Sequence, residues 1–143
     1  MATEIVLNTS WNGSIQGNGL TQSTVLNNAI AIPTIFGGTG MGAAPMDFLV
    51  ASAACCYLMT MVGMLKIQKI EISELTLHTE TDAKSKNLII HHFIEIKVPT
   101  EINEDKITII EDMINKADRA CHIGNMLKKA DVEIHVQGTV IHP

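Results

Sequence analysis

Phe48-Leu49-Val50-Ala51-Ser52-Ala53-Ala54-Cys55-Cys56-Tyr57-Leu58-Met59-Thr60-Met61-Val62-Gly63-Met64-Leu65 is a run of eighteen residues without a charge, held between Asp47 and Lys66. Its length meets the lower bound for a membrane span, roughly 18 apolar residues. Its composition points elsewhere: Ala, Ser, Cys, Thr and Gly replace the Leu of a lipid-facing helix, and no aromatic belt flanks it. The run is expected to be the core helix of a soluble protein with no membrane contact. A helix apolar on every side, in a chain of 143 residues, must be wrapped by sheet and by a second subunit. Pro45 is suited to the first helical position, because its fixed φ and missing N–H cost nothing there. Asp47 then falls in the first turn, where a negative charge complements the helix dipole.

Upstream, Glu4 to Trp11 and Ser14 to Asn18 alternate weakly around the turn dipeptide Asn12-Gly13 and predict a hairpin. Thr24 to Ile32 predicts a third strand stopped by Pro33. The stretch Gly37-Gly38-Thr39-Gly40-Met41-Gly42 lacks the Gly-Lys-Ser/Thr ending of a phosphate loop and is expected to act as a flexible hinge or lid.

Downstream, Ile70 to Thr81 and Leu88 to Val98 predict strands joined by the polar turn Asp82 to Asn87. Leu88, Ile90, His92, Ile94, Ile96 and Val98 share one face of the second. An amphipathic helix is predicted from about Asn103, with Ile107, Ile110, Ile114 and Ala117 in one stripe. Asp118 is expected to cap a short helix carrying Cys121, and Val132 to Val140 alternates as a closing strand. The order of elements is α+β, in a single domain over residues 1–143.

Composition narrows the function. A formal charge of −5, few aromatics and scattered basic residues, with Lys128-Lys129 the one adjacent pair, exclude a nucleic-acid surface. The start, Met1-Ala2-Thr3-Glu4, lacks the basic and apolar regions of a signal peptide, so a cytoplasmic location is expected. Three cysteines fit a reduced compartment and transient redox chemistry better than a disulfide framework. They are also the only strong nucleophiles, and no Ser-centred elbow, HExxH or carboxylate pair suggests hydrolysis. Cys56, in mid-helix and apolar surroundings, cannot be activated by its own helix terminus and needs a partner from elsewhere. Cys121 sits where a short helix begins, beside Arg119 and His122, and local physics alone favours it as the thiolate. Neighbours on a helix point about 100° apart, so spacing does not decide whether Cys55 or Cys56 faces Cys121. Cys55, Cys56, Cys121 and His122 could supply four zinc ligands, but adjacent cysteines lacking the two-residue spacer chelate poorly, and no metal is expected. The remaining histidines have no ligand spacing and read as surface or satisfied strand residues.

Ala44-Pro45-Met46-Asp47-Phe48-Leu49-Val50-Ala51-Ser52-Ala53-Ala54-Cys55-Cys56 resembles the Pro-led helix start and helix cysteine of the OsmC/Ohr family of osmotically inducible and organic hydroperoxide resistance proteins. Ala117-Asp118-Arg119-Ala120-Cys121-His122-Ile123-Gly124-Asn125-Met126-Leu127 resembles that family's second cysteine motif. The resemblance implies an intertwined α+β homodimer, antiparallel sheets wrapped around long central helices, with active sites built from both chains. It also implies thiol-dependent hydroperoxide reduction with no cofactor. The cysteine eleven residues after the Pro, Cys56, would be oxidised to a sulfenic acid, Cys121 would resolve it as a disulfide, and an external dithiol, lipoyl-like in the family's best-understood branch, would restore both. The family's reductases place Glu directly after the Pro and pair it with an N-terminal Arg. Here Met46 occupies that position, Asp47 is displaced by one, and Arg119 is the only arginine, so Asp47 and Arg119 are the candidate supporting residues. Pro45-Met46-Asp47 resembles a less characterised branch of the family with Pro-Met-Glu at this point. The alternative from another class is a non-enzymatic stress or binding protein on the same fold, with the Gly-rich loop and Met-lined helix as an apolar pocket.

Overall fold

The computed structural model describes residues 4–82 and 84–143. Met1 to Thr3 of the start region and Ala83 of the expected turn after Thr81 lie outside the described residues. The chain divides into two compact units, residues 1–49 and 50–143.

The first unit is a three-stranded antiparallel sheet of β1 (Asn8–Asn12), β2 (Asn18–Gln22) and β3 (Asn27–Ile30), in that order. The hairpin exists, but its return strand begins at Asn18 instead of occupying Ser14 to Asn18. The residues between are consumed by a wider loop, in which the Trp11 indole N–H and the Gly17 amide both donate to the Ser14 carbonyl, at 2.9 and 2.8 Å. Tight-turn chemistry at Asn12-Gly13 therefore loses to a side chain that folds back over the loop. The Gly-rich stretch is also more constrained than a hinge. Gly38 and Gly40 donate to the carbonyls of Pro33 and Ile32, and Ala43 to that of Ala29, so the segment is laced to the end of β3.

The helix α1 (Pro45–Ile67) starts at Pro45, as its sequence predicts, and its first turn falls in the first unit. Asp47 accepts from the Ala44 amide at 2.8 Å while its own amide donates to the Ala44 carbonyl, a reciprocal cap at a helix start.

In the second unit, β4 (Glu74–Thr81), β5 (Ile89–Lys97) and β6 (Glu133–Ile141) form a sheet in that order. β4 and β5 are antiparallel, as a short connection requires, but β6 runs parallel to β5, so this sheet is mixed and not purely antiparallel. The reason is the connection: the helices α2 (Glu104–Ala120) and α3 (His122–Lys129) carry the chain back before it re-enters the sheet. On β5 the period-two pattern holds, and Ile90, His92, Ile94 and Ile96 are all buried. α2 begins at the N-cap Asn103, whose side chain accepts from the Lys106 amide, and buries the stripe Ile107, Ile110, Ile114 and Ala117. Tyr57, Met61 and Leu65 of α1, Ile94 and Ile96 of β5, and Ile110, Met113 and Ile114 of α2 make one core that also holds Cys121. α1 has the length and composition to cross a membrane. Its buried face is nonetheless part of this core, as a core helix requires.

Candidate redox site

Cys56 and Cys121 converge on the first turn of α3. Cys121 is the residue between α2 and α3, with extended backbone angles, and its sulfur accepts from the Gly124 amide at 3.4 Å. It is therefore the N-cap of α3; Asp118, the cap expected from the sequence, lies inside α2. The preceding helix runs three residues further than the Asp118 side chain suggests, because that carboxylate is engaged by Lys128 of α3 at 2.9 Å and offers nothing to a helix start. The Cys56 sulfur, from the middle of α1, accepts from the Ile123 amide at 3.5 Å. The two thiols are neighbours, close enough that each shifts the other's ionisation.

This geometry gives the sulfurs opposite electrostatics. Burial pushes the Cys56 thiol up, but the Ile123 amide, the Cys121 thiol, the Thr60 hydroxyl and the His122 amide together bring its pKa below the ordinary value of 9.0. A helix N-terminus presents unpaired N–H groups and a partial positive charge, which is where an anion is most stable. Cys56 thus receives the stabilisation that its own helix cannot give it. Cys121 is buried, and burial, the Cys56 sulfur and the charge of Asp118 push its thiol up to about 11, with the Gly124 amide the opposing influence. Local sequence physics favoured Cys121; the fold reverses the preference. The N–H groups of α3 are shared between two sulfurs, and Cys56 receives more of them.

The other candidates are placed apart from this pair. Cys55 is exposed, one helical step round α1 from Cys56. Arg119 is exposed on α2; its charge acts on Asp112, whose carboxyl pKa is lowered first by Lys116 and also by Arg119. Its backbone carbonyl accepts from the Asn125 side chain at 2.9 Å. A guanidinium on the solvent side of α2 is thus a poor substitute for an Arg beside the thiolate. Asp47 is spent on the start of α1, as described. Among the described residues no group of three or more His, Cys, Asp or Glu is arranged to hold a metal ion.

One feature escapes a reading of the sequence, the source of the donors that reach Cys56, whereas His92 is the satisfied strand residue that its place on the apolar face of β5 predicts. The donors for Cys56 come from residues 66 and 67 positions away, and only the Cys121-His122-Ile123-Gly124 helix start hints at them. Behind the site, His92 is buried and satisfied by the Thr79 hydroxyl at 2.8 Å, and burial lowers its pKa.

The thiols imply a pH signature. Between the ordinary thiol value near 9 and about 11, folded Cys121 keeps a proton that the unfolded chain releases, so stability falls as pH rises through that window. Cys56 acts oppositely below 9: its lowered pKa adds stability that is lost as pH falls through the folded value. We expect the urea midpoint to decline between pH 9 and 11, by a free energy on the order of 2 kcal/mol at about 1.4 kcal/mol per unit. Cys121→Ser should flatten that decline, and an unchanged slope in the variant would contradict the assignment.

Comparison with known proteins gives a consistent pattern. The family profile described as "OsmC-like protein" matches residues 38–137. YmaD of Bacillus subtilis strain 168, itself uncharacterized, is 24% identical over 139 residues, covering 94% of this chain and 92% of its own. The crystal structure of an OsmC-like protein from Mycoplasma pneumoniae superposes with a TM-score of 0.72 at 20% identity, covering 99% of this chain and 100% of that one. An organic hydroperoxide resistance protein from Legionella pneumophila superposes with a TM-score of 0.65 at 19% identity, covering 94% and 96%.

Proposed function

This chain belongs to the OsmC-like protein family, and from that premise we propose that it is a thiol-dependent peroxidase reducing organic or inorganic hydroperoxides in oxidative-stress defence. Cys56 is the attacking thiol and Cys121 the resolving one. The observation that supports this reading best is the Cys56 sulfur seated on the Ile123 amide at the start of α3, with the Cys121 thiol in reach.

The chemistry follows from the two pKa directions. The Cys56 thiolate attacks the distal oxygen of R–O–OH; the O–O bond breaks, sulfur gains oxygen as a sulfenic acid, and the alkoxide leaves and takes up a proton as R–OH. Cys121 then attacks the Cys56 sulfur, the S–O bond breaks, and hydroxide departs with the Cys121 proton as water, leaving a Cys56–Cys121 disulfide. A raised pKa suits Cys121 to this second role, since it stays a thiol until the sulfenic acid is beside it. An external dithiol, of lipoyl type or similar, reduces the disulfide by two exchange steps and leaves oxidised. The four core groups, two sulfurs and the two α3 amides, perform the first two steps without a resident cofactor or metal. We further propose that the protein works as a cytoplasmic homodimer and that residues 1–143 act as one functional domain.

The experiment is to oxidise Cys121→Ser with one equivalent of hydroperoxide and trap sulfenic acid with a dimedone-type probe. The label should accumulate on Cys56 to near one per chain, while multiple turnover with dithiol falls at least about tenfold because the resolving step is lost. Absence of label, with the wild type also losing no thiols to peroxide, would favour the non-enzymatic binding protein instead.

A further inference from the structure

We propose that Tyr57 is a positioning residue for the thiol pair, its hydroxyl fixing the register of α1 against α2 so that Cys56 stays seated on the start of α3. The proposal rests on the Cys56–Cys121 reading above. Tyr57 directly follows Cys56, and on a helix its side chain points about 100° away, into the core, where it is 1% exposed. Its hydroxyl donates to the Ile114 carbonyl of α2 at 3.0 Å. Its ring stacks on His92 of β5, with centroids 5.2 Å apart and planes 7° from parallel, and His92 is held in turn by Thr79 of β4. The residue beside Cys56 is thus pinned in two directions, to the helix that ends at Cys121 and to the sheet beneath.

A phenylalanine would fill the same volume, so packing does not explain the hydroxyl. Nor does the carbonyl require it: Ile114 lies within α2, where the helical pattern already supplies a donor four residues on. What the bond adds is a tie between two helices. Such a tie matters here because the Ile123 amide reaches the Cys56 sulfur at 3.5 Å, an ordinary N–H···S length that depends on where α1 sits against the start of α3. A slip of α1 by one residue moves Cys56 about 1.5 Å along its axis, enough to break that contact and the approach of the two sulfurs. Burial, and after it the negative charge of Asp118, push the Tyr57 hydroxyl pKa up, so it remains a donor through the working pH range. The charged and titratable groups that act on Tyr57 and on the thiols are Asp118, paired with Lys128, and the sulfurs themselves; the stacked His92 also feels Asp118.

The test is Tyr57→Phe in a Cys55→Ser background, read by iodoacetamide alkylation of Cys56 against pH in the reduced protein, with no peroxide present. We expect a folded protein melting a few degrees lower, with the Cys56 profile shifted up by roughly half a unit or more as the N–H contacts lengthen. Closure of the Cys56–Cys121 disulfide after one equivalent of hydroperoxide should slow by about tenfold, the loss expected when near-attack geometry degrades. Ile96→Val, in the same core but without a bond to α2, serves as the control for destabilisation: its melting point should drop while its alkylation profile superimposes on the parent. A Tyr57→Phe profile superimposable on the parent would overturn the proposal, as would an Ile96→Val profile shifted by the same amount. The peroxidase reading fails separately: if the parent protein forms no disulfide with peroxide but the Tyr57→Phe profile still shifts, Tyr57 positions Cys56 for some other thiol chemistry.

Discussion

Cys56→Ser is expected to reduce peroxide consumption by at least about a thousandfold, to the background of free thiols, because Cys121, the other sulfur in the site, is buried and held as the thiol by its raised pKa. Cys55→Ser should retain the wild-type rate. The difference between adjacent residues is sharp because the helix turns them apart: Cys56 meets the amides of α3, whereas Cys55 is exposed on α1 and meets none of them. A serine hydroxyl, with a pKa far above that of a thiol, would not ionise on the same two N–H groups. Stopped-flow peroxide consumption with both variants decides the matter. Loss of activity in Cys55→Ser with retention in Cys56→Ser would reverse the assignment and remove the role proposed for α3.

That expectation depends on a contact no local reading supplies. α1 was legible because its uncharged run and Pro45 start are properties of consecutive residues, and β5 and α2 because their apolar periods are long and regular. The paired cysteine motifs, through their resemblance to a known family, pointed to Cys56. Local physics alone pointed to Cys121, since a helix start and a neighbouring Arg119 are visible in the sequence. It missed that the helix start faces two sulfurs, that burial and Asp118 act against the nearer one, and that Arg119 is exposed on α2, where its charge acts on Asp112. The hairpin failed for a similar reason: Asn12-Gly13 suggests a tight turn, but the Trp11 indole reaches across to Ser14 and the loop widens. In each case a long-range or side-chain contact outweighed a sound local preference.

The largest structural effect should follow from a charge on the exposed face of α1. Cys55, Met59 and Val62 lie along it, Met59 and Val62 are 70% and 52% exposed in the single chain, and Ile67 at the end of the helix is 78% exposed. Gly63 has open space where a Cβ would stand. Leaving several large apolar side chains in water forfeits roughly 1.5–3 kcal/mol each, a substantial part of the total stability of a domain this size. In the homodimer we propose, a second copy covers this face, and folding and association become one equilibrium. Light scattering should therefore give twice the 15.5 kDa chain mass, with an unfolding midpoint that falls on dilution. Val62→Asp would bury a carboxylate in that interface without a partner, a penalty of several kcal/mol. The variant should lose both the dimer and most of its helical signal at low micromolar concentration. If instead the wild type is a compact monomer there, and Val62→Asp melts at the same temperature, then this face of α1 is tolerated in water and the assembly proposed for the site is wrong.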